Sequence, residues 1–415
     1  MKQLVKKEKK DTYVDYALFV ILWGAYCALM LLLFHRQTVN YAGGYESDMK
    51  SYVLYIQGVD TGNPYAYPLM FWVAQMFAFV LRPQMAVAFA VTGLNALTPL
   101  ALKVYGDRYI DRRHIYRDAD KEQGRTKIRF TVLLFTCLFV SMLFWPFAGG
   151  EEVYRYKGVF SPNPFHNATY LSARGFSVIS FFSFLELLDG LRTKVDNRNV
   201  WKQYLVFGVS LLLTTMTKPS FTLGFGVAAG IVVLGLWLRQ GIAEWKRYLW
   251  MALAVVPTLL DLLYQYSGVF TGADATGTEL GIGFGWLEAW HSCADRVWLS
   301  VLLGMAFPLV VLLCNLPQLK YNLGYCFTWV MMVADFLLAA CLYEKGWRMW
   351  HMNFAWGYMY GMFFAFVMST VILLENTLKK KQKSGVLTLQ WGAFWLHLIC
   401  GVIYFVGIMN GGSYI

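Results

Sequence analysis

The amino-acid sequence predicts an all-α polytopic membrane protein with about eleven transmembrane helices and one interfacial or re-entrant helix. Three observations predict this class. Of the 415 residues, 58% are hydrophobic and only 15% are charged, whereas soluble domains have about 45–50% and about 25%. Apolar runs of about 20 residues recur along the chain, and each can cross a hydrocarbon core of about 30 Å as a helix. The chain also holds 16 Trp and 26 Tyr, which are residue types enriched at membrane interfaces.

Hydropathy indicates spans at 14–34, 84–104, 129–147, 172–190, 203–217, 220–238, 248–267, 296–314, 322–341, 352–374 and 388–409. The first apolar run is too long for a signal peptide and is expected to remain as the first transmembrane helix. The apolar run 69–81 is short and follows the turn-rich segment 60–68, which favours an interfacial or re-entrant helix.

The distribution of basic residues predicts the orientation. Segment 103–129 holds nine Lys or Arg and the N-terminus is also basic, so the positive-inside rule places both in the cytoplasm. An even number of crossings then separates them, which agrees with treating 69–81 as non-spanning. The rule predicts one integral domain over 1–415 with a cytoplasmic N-terminus and a C-terminus outside. The net charge of +11 follows from this asymmetry and indicates no nucleic-acid partner.

The predicted outer side carries the longer and chemically more varied loops. These are 35–83, which includes surface helices, 149–174, and the Gly-rich, lid-like segment 268–295. Binding and catalytic residues lie disproportionately on such loops. Function is therefore expected on the outer side.

Two acidic residues in the first outer loop are candidate catalytic groups. Glu46 and Asp48 stand just before the amphipathic stretch 49–56, which is expected to lie flat on the membrane. A carboxylate held at the bilayer surface can act as a general base on a hydroxyl nucleophile. The alternative is that Ser47 or Asp48 only caps the following helix.

The second outer loop contains a cluster of candidate binding residues. Two prolines fix the backbone turns of this loop, and Asn163, His166 and Asn167 offer hydrogen-bond donors and acceptors. Arg174 follows near the start of the next span. This set suits a sugar or a phosphate. The alternative is a rigid plug in which these side chains only satisfy backbone groups.

Candidate phosphate-binding cations lie at two further outer positions. Lys218 is at the turn between two apolar stretches, where helix N–H groups also favour an anion; alternatively it only marks a helix end. Arg348 and His351 lie in the segment 343–353, whose cations and aromatic rings could bind a phosphate and stack on a sugar. The tryptophans of that segment are alternatively interfacial anchors.

Acidic residues within the predicted spans also need an explanation. Asp261 and Asp335 fall in the outer half of their spans, where a carboxylate is expected to face a polar cavity or a partner. Glu186 and Asp189 lie near a cytoplasmic end and are expected to contact Arg192.

The chain as a whole resembles the GT-C superfamily of polyprenyl-phosphate-sugar-dependent membrane glycosyltransferases. The features that carry the resemblance are a first helix with a cytoplasmic N-terminus, the acids Glu46 and Asp48 before a surface helix, the aromatic-Pro segment 65–68 before the next apolar run, and about eleven spans. The resemblance implies a GT-C-like fold. It also implies that a first-loop carboxylate is the base for the acceptor and that the sugar is transferred with inversion at C1. Asp48 matches that position best and Glu46 is the next choice.

On this hypothesis the substrate is a polyprenyl-phosphate-linked monosaccharide that reaches the site from the outer leaflet. Lys218 and Arg174, with Arg348, are expected to pair with its phosphate. Asn163, His166 and Asn167, and also His351, are expected to bind the sugar or the acceptor.

No cofactor and no metal ion is required by this arrangement, and the seven cysteines show no metal-binding spacing. The expected partners are the lipid-linked sugar, an acceptor glycan or lipid, and membrane lipids. A bacterial plasma membrane is the expected location, because the loops are compact and the sequence ends without a retention motif.

Three other functions remain open from the sequence. One is an outer-face polysaccharide polymerase or ligase that acts on pyrophosphate-linked chains, for which an Arg-rich outer loop is expected. Another is a secondary transporter, for which midplane charges and paired broken helices are expected. The third is a scaffold subunit with no chemistry of its own. The enzyme hypothesis requires that Asp48, His166, Lys218 and Arg348 come together.

Overall fold

The computed structural model describes residues 2–39, 44–62, 65–115, 123–143, 158–193, 200–270 and 280–412. Within these ranges the α-helices are α1 (Lys2–Val39), α2 (Met49–Ile56), α3 (Leu69–Ala78), α4 (Pro83–Arg112), α5 (Gln123–Cys137), α6 (Ala168–Thr193), α7 (Val200–Thr217), α8 (Ser220–Gln240), α9 (Trp245–Val269), α10 (Glu288–His291), α11 (Val297–Cys314), α12 (Gln318–Tyr321), α13 (Leu323–Cys341), α14 (Ala355–Lys379) and α15 (Ser384–Met409). Strand β1 (Ile282–Phe284) pairs antiparallel with β2 (Leu342–Glu344). Short 3₁₀ helices cover Gly241–Glu244 and Gly346–His351.

Nine helices of the described ranges are long and apolar enough to cross a membrane, namely α1, α4, α6, α8, α9, α11, α13, α14 and α15. Besides helices, the described residues contain only the two three-residue strands and connecting segments. The prediction of an all-α polytopic membrane protein is therefore confirmed.

The other two predicted spans correspond to α7 and α5. α7 has 18 residues and packs against α6 and α9. α5 has 15 residues, about 22 Å at a rise of 1.5 Å per residue, which is shorter than a hydrocarbon core of about 30 Å. The prediction of one continuous span over 129–147 is wrong, because the helix ends at Cys137 and residues 138–143 continue without helical structure.

Neighbouring helices satisfy backbone groups of this non-helical segment, 138–143. The Ser141 N–H donates to the His397 carbonyl at 3.1 Å, and the Leu143 N–H donates to the Leu303 carbonyl at 2.9 Å. Irregular backbone at membrane depth is tolerated where protein surrounds it. Packing against α11 and α15 therefore takes the place of the missing helical hydrogen bonds.

α14 forms the centre of the bundle. The apolar window of its span is completely buried, and α13, α11 and α8 pack against it. On the side of α6, the Phe364 ring stacks on Phe181 with 4.3 Å between centroids. Nearer the two helix starts, the Tyr360 hydroxyl donates to the Tyr170 carbonyl at 2.8 Å, so the starts of α14 and α6 also pack together, at the predicted outer face.

Polar contacts between the helix ends sort into two faces. At the predicted cytoplasmic face they pair Asp15 with Lys103, Arg112 with Glu186, Arg113 with Glu375, and Tyr109 with Asn322. At the predicted outer face they pair Asp48 with Asn167, Lys218 with Thr169, and Glu344 with Arg348 and Asn353. Each of these pairs therefore joins two groups that the predicted orientation of the spans places on the same face of the membrane.

Short helices and the small sheet build the predicted outer face. α2 has 8 residues and α3 has 10, too few to cross a hydrocarbon core, as expected of surface or re-entrant helices. Pairing of Ile282 with Glu344 anchors residues 280–284 of the predicted lid-like loop. Residues 271–279 of that loop and residues 149–157 of the second outer loop lie outside the described residues.

Candidate functional site

The carboxylate of Asp48 contacts α6 instead of capping α2. Asn167 Nδ2 donates to Asp48 Oδ2 at 2.8 Å, and the Tyr52 hydroxyl donates to the same oxygen at 3.3 Å. The Met49 N–H at the start of α2 donates to Ser47 Oγ at 3.2 Å, whereas the Asp48 side chain makes no capping bond. Of the two candidate caps, Ser47 therefore has this role, and the Asp48 carboxylate is directed to another helix.

Asn167 uses both ends of its side chain at the start of α6. Its Oδ1 accepts from the Tyr170 N–H at 2.9 Å and from the Thr169 hydroxyl at 3.0 Å. These two donors assign the oxygen and leave the amide NH₂ directed at Asp48. The carboxylate consequently lies near the N-terminus of a 26-residue helix, where the helix dipole favours negative charge.

Lys218 is buried at the turn between α7 and α8, with only 5% of its surface exposed. Its Nζ donates a hydrogen bond to Thr169 Oγ1 at 3.3 Å. The same Nζ lies 4.6 Å from the centre of the Trp356 ring and 5.9 Å from the centre of the Tyr67 ring. An ammonium has three N–H donors, and Thr169 is its one hydrogen-bond acceptor within the described ranges. Two donors of Lys218 can therefore bind a ligand oxygen.

Burial and nearby charges change how readily two of these groups ionise. Burial lowers the pKa of Lys218 to about 8, although the carboxylates of Asp48 and Glu344 partly oppose this effect. Burial raises the pKa of Tyr52, and the negative charge of Asp48 raises it further. The site thus combines a mostly protonated ammonium at neutral pH with a phenol that keeps its proton and donates to Asp48.

Aromatic rings form one side of the site. The buried His166 ring lies 5.9 Å from the Trp356 ring, measured between centroids, and the Tyr170 ring is also 5.9 Å from Trp356. Because Trp356 also contacts the ammonium of Lys218, His166 belongs to the same cluster as Lys218. Trp356 itself is only 4% exposed, so its ring is enclosed by these neighbours.

Arg348 lies beside the site in a tight ion pair. Its Nε is 2.8 Å from Glu344 Oε2, and Asn353 Nδ2 donates to the same oxygen at 2.8 Å. Burial raises the pKa of Tyr67, and the Arg348 guanidinium opposes this rise, which places Arg348 near the ring that faces Lys218. His351 packs edge-on against Trp347 with 4.7 Å between ring centroids.

Arg174 and Asn163 have a different environment from the group around Asp48. Arg174 comes seven residues after Asn167, about 10 Å further along α6, and it is completely buried. Its guanidinium donates to Asn163 Oδ1, while Asn163 Nδ2 donates to the carbonyls of Cys137 and Val140 at 3.0 and 2.8 Å. Both residues stabilise the non-helical continuation of α5. Their predicted contact with substrate stays a prediction.

The two candidate acids differ in their surroundings. Glu46 is exposed, whereas Asp48 is half-buried and joined to α6 by Asn167. Asp48 is also the acid whose charge acts on Lys218. The geometry therefore favours Asp48 over Glu46 as the carboxylate that works together with Lys218.

Asp335 lies in the interior of the bundle with 1% of its surface exposed. Neither carboxyl oxygen makes a hydrogen bond to the part of the chain that the structure describes. A Cβ atom at Gly224 would clash with Asp335 Oδ1. A Cβ atom at Gly357 would lie 3.0 Å from Oδ1, and one at Gly361 would lie 2.9 Å from Oδ2. Glycines of α8 and α14 thus make room for this side chain.

Two other acids of the spans, Asp261 and Glu186, have polar partners. Gln265 Nε2 donates to Asp261 Oδ2 at 2.9 Å. Glu186 pairs with Arg112 at 2.8 Å, which corrects the expectation that it contacts Arg192. The reason is packing between helices, because α4 and α6 lie side by side and bring Arg112 next to Glu186.

Several residues of the site were not singled out from the sequence. Thr169 could have been found, because it follows the candidate Asn167 by two residues, and Glu344 lies in the segment 343–353 that was singled out for its cations. Tyr67 belongs to the aromatic-Pro segment. Trp356 carries no such signal, since at the start of an apolar helix it looks like any interfacial tryptophan.

The site combines a carboxylate, an ammonium and aromatic rings at the predicted outer face. Within the described ranges, no group of three or more His, Cys, Asp or Glu side chains is placed to hold a metal ion; that the reaction needs no metal stays a prediction. No protein-family model and no curated protein matches this chain. The fold and the site define its class as an all-α, integral multi-pass membrane protein with a polar site at one face.

Proposed function

We propose that this protein is an inverting membrane glycosyltransferase that moves a monosaccharide from a polyprenyl-phosphate donor to a hydroxyl of an acceptor glycan or lipid. One observation carries the proposal, namely the arrangement at the start of α6. There Asn167 holds Asp48, and Thr169, two residues later, holds Lys218. A base for the acceptor hydroxyl and a cation for the leaving phosphate are the two charged groups that this reaction uses.

In the proposed reaction, Asp48 accepts the proton of the acceptor hydroxyl. The acceptor oxygen forms a bond to C1 of the sugar on the face opposite to the phosphate, while the bond between C1 and the phosphate oxygen breaks. Both electrons of that bond leave with the polyprenyl phosphate, and the ammonium of Lys218 stabilises the added negative charge. The configuration at C1 is inverted because the two oxygens lie on opposite faces.

The surrounding residues support a donor with one phosphate. Trp356 packs against the ammonium of Lys218, and His166 lies beside the Trp356 ring. Arg348 is already paired with Glu344, and Arg174 is buried among protein groups. A pyrophosphate-linked donor, which a polymerase or ligase would use, calls for more unpaired cations than this arrangement offers. We therefore assign Arg348 and His351 to the border of the site.

We further propose that the protein works in a bacterial plasma membrane with the site on the outer face. The lipid donor would then enter sideways from the outer leaflet, past the short helices α2 and α3. The exposed apolar side chains of α3, Trp72 and Met76 among them, are suited to contact with lipid chains at that depth.

The proposal is tested by incubating the purified protein in lipid nanodiscs with a panel of radiolabelled polyprenyl-phosphate sugars and candidate acceptors. Wild-type protein is expected to transfer one of the labels. The Asp48→Asn variant keeps the shape of the side chain and removes the base, so the rate should fall by a factor of about 10² to 10⁴. Turnover of Asp48→Asn at the wild-type rate would refute the role of Asp48.

Asp60→Asn is the matched control, because Asp60 is an exposed acid of the same loop whose Oδ1 accepts from the nearby Gly62 N–H at 2.8 Å. Its rate is expected to equal that of the wild type. Glu46→Gln distinguishes the two candidate acids. If Glu46→Gln loses transfer and Asp48→Asn does not, Glu46 is the base.

A further inference from the structure

A cavity of about 200 Å³ lies at the predicted cytoplasmic face, away from the site around Asp48. It is more than ten times larger than the about 10–15 Å³ that one water molecule needs. The ends of α4 and α6 and the start of α13 enclose it, and its lining includes Arg112, Arg113, Arg192 and Asn322. The glycosyltransferase reaction proposed for the outer face makes no use of this cavity.

Two buried donors on the lining residues lack an acceptor among the described residues. Asn322 Oδ1 accepts from the Tyr109 hydroxyl at 2.6 Å and from the Tyr325 N–H at 3.1 Å, so the NH₂ group of Asn322 is the remaining end of the amide. This Nδ2, like Nε of Arg113, is buried and makes no hydrogen bond to the described part of the chain. Buried donors are costly without an acceptor, and both of these belong to side chains that line the cavity.

The charges around the cavity favour an anion with a single negative charge. Arg112, Arg113 and Arg192 contribute three positive charges, and Glu186 and Asp189 contribute two negative ones, which leaves a net charge of one. Arg112 is paired with Glu186. Arg113 is paired with Glu375 at 3.2 Å, but Glu375 lies outside the lining and is also paired with Lys379 and Lys381, so it does not cancel the charge of Arg113 alone.

Arg192 is exposed and makes no ion pair within the described ranges, so its guanidinium can turn to a ligand. A phosphodiester carries one negative charge and accepts hydrogen bonds from guanidinium groups in a fork geometry. A pyrophosphate or a phosphomonoester would exceed the net positive charge of the lining.

We propose that this cavity binds a singly charged phosphate group through Arg113, Arg192 and Asn322. The cavity opens at the ends of membrane-spanning helices, and basic pockets between such helices on the cytoplasmic side bind lipid head groups. The ligand is therefore the phosphodiester of an anionic lipid in the inner leaflet or a soluble phosphate of the same charge. This second site is independent of the chemistry proposed around Asp48.

The test uses the full-length protein. In nanodiscs of phosphatidylcholine with and without phosphatidylglycerol, native mass spectrometry measures how much phosphatidylglycerol stays bound. In detergent, calorimetry measures the binding of inorganic phosphate at a pH where it carries one charge. We expect at least about tenfold weaker binding in Arg113→Gln and Arg192→Gln than in the wild type, because each loses a charge-assisted hydrogen bond.

Arg239→Gln is the control for unspecific attraction to a basic face, since Arg239 is an exposed residue in the last turn of α8 and does not line the cavity. It should bind like the wild type. If Arg113→Gln does not fold, Arg192→Gln still tests the proposal, because a substitution of the exposed Arg192 is not expected to disturb folding.

If the wild type retains phosphatidylglycerol and Arg192→Gln does not, the ligand is a lipid. Binding of inorganic phosphate alone, with the same dependence, identifies a soluble ligand. Absence of binding in both arms, or binding that is equal in Arg192→Gln and Arg239→Gln, overturns the proposal.

Discussion

The buried ammonium of Lys218 makes a specific prediction about pH. Burial lowers the pKa of Lys218 to about 8, and in the proposed reaction the protonated form binds the donor phosphate. Raising the pH through this value removes the charge without any mutation. The catalytic efficiency kcat/KM of the free enzyme is therefore expected to fall as Lys218 loses its proton.

The size of the effect follows from the pKa. With a pKa of about 8, roughly 90% of the Lys218 side chains are protonated at pH 7 and roughly 10% at pH 9. The value of kcat/KM should therefore fall about tenfold between these two pH values, if the neutral amine binds the phosphate much more weakly.

Folding stability changes in the opposite direction. The pKa of Lys218 is lowered from 10.5 to about 8 in the folded protein, so the unfolded state binds more protons between these two values. The contribution of Lys218 to the free energy of unfolding therefore increases as the pH rises from about 8 to about 10.5. A loss of activity over that range cannot then be ascribed to unfolding caused by this group.

The assay measures initial rates of sugar transfer from pH 6.5 to 9.5 at low donor concentration, with the thermal midpoint at each pH as a control. Arg stays charged over this range, so the Lys218→Arg variant should show a flat profile between pH 7 and 9, whatever its absolute rate. A flat profile of the wild type, or the same decline in Lys218→Arg, would refute the assignment of the phosphate to Lys218.

The remaining predictions concern stability and donor binding. Arg174→Leu leaves the buried Asn163 Oδ1 without its donor and should lower the free energy of unfolding by about 1–3 kcal/mol; an unchanged denaturation midpoint would contradict this role. Gly224→Ala places a Cβ against the Asp335 carboxyl and should cost about 1–3 kcal/mol. Asp335→Ala in the same chain should recover most of that loss, and purely additive effects in this double-mutant cycle would contradict the contact. Trp356→Leu removes a cation–π contact to Lys218 and should raise the apparent donor KM about two- to thirtyfold, whereas an unchanged KM would exclude the contact from donor binding.

Local properties of the sequence predicted much of the fold. Hydropathy depends on composition within one segment, so the long spans, the short helix α3 and the turn at Lys218 were predicted near their observed positions. The surface helix α2 was also predicted, because Asp48 precedes a short amphipathic stretch. These elements need no information about what packs against them.

Features that depend on neighbouring segments could not be predicted in this way. Residues 138–143 look as apolar as a helix, and their non-helical path depends on partners more than a hundred residues away, such as the carbonyl of His397. Arg174 near a helix start looks like a ligand-binding cation, yet its depth along α6 and its bond to Asn163 are set by packing. The role of Trp356 beside Lys218 depends on how α14 packs against the start of α8.

The most direct test of the central claim compares donor binding with a single turnover in the same Asp48→Asn preparation. If Asp48 is the base and Lys218 holds the phosphate, Asp48→Asn should bind the polyprenyl-phosphate sugar about as tightly as the wild type and transfer it at least about a hundredfold more slowly. Transfer by Asp48→Asn at the wild-type single-turnover rate would contradict the claim.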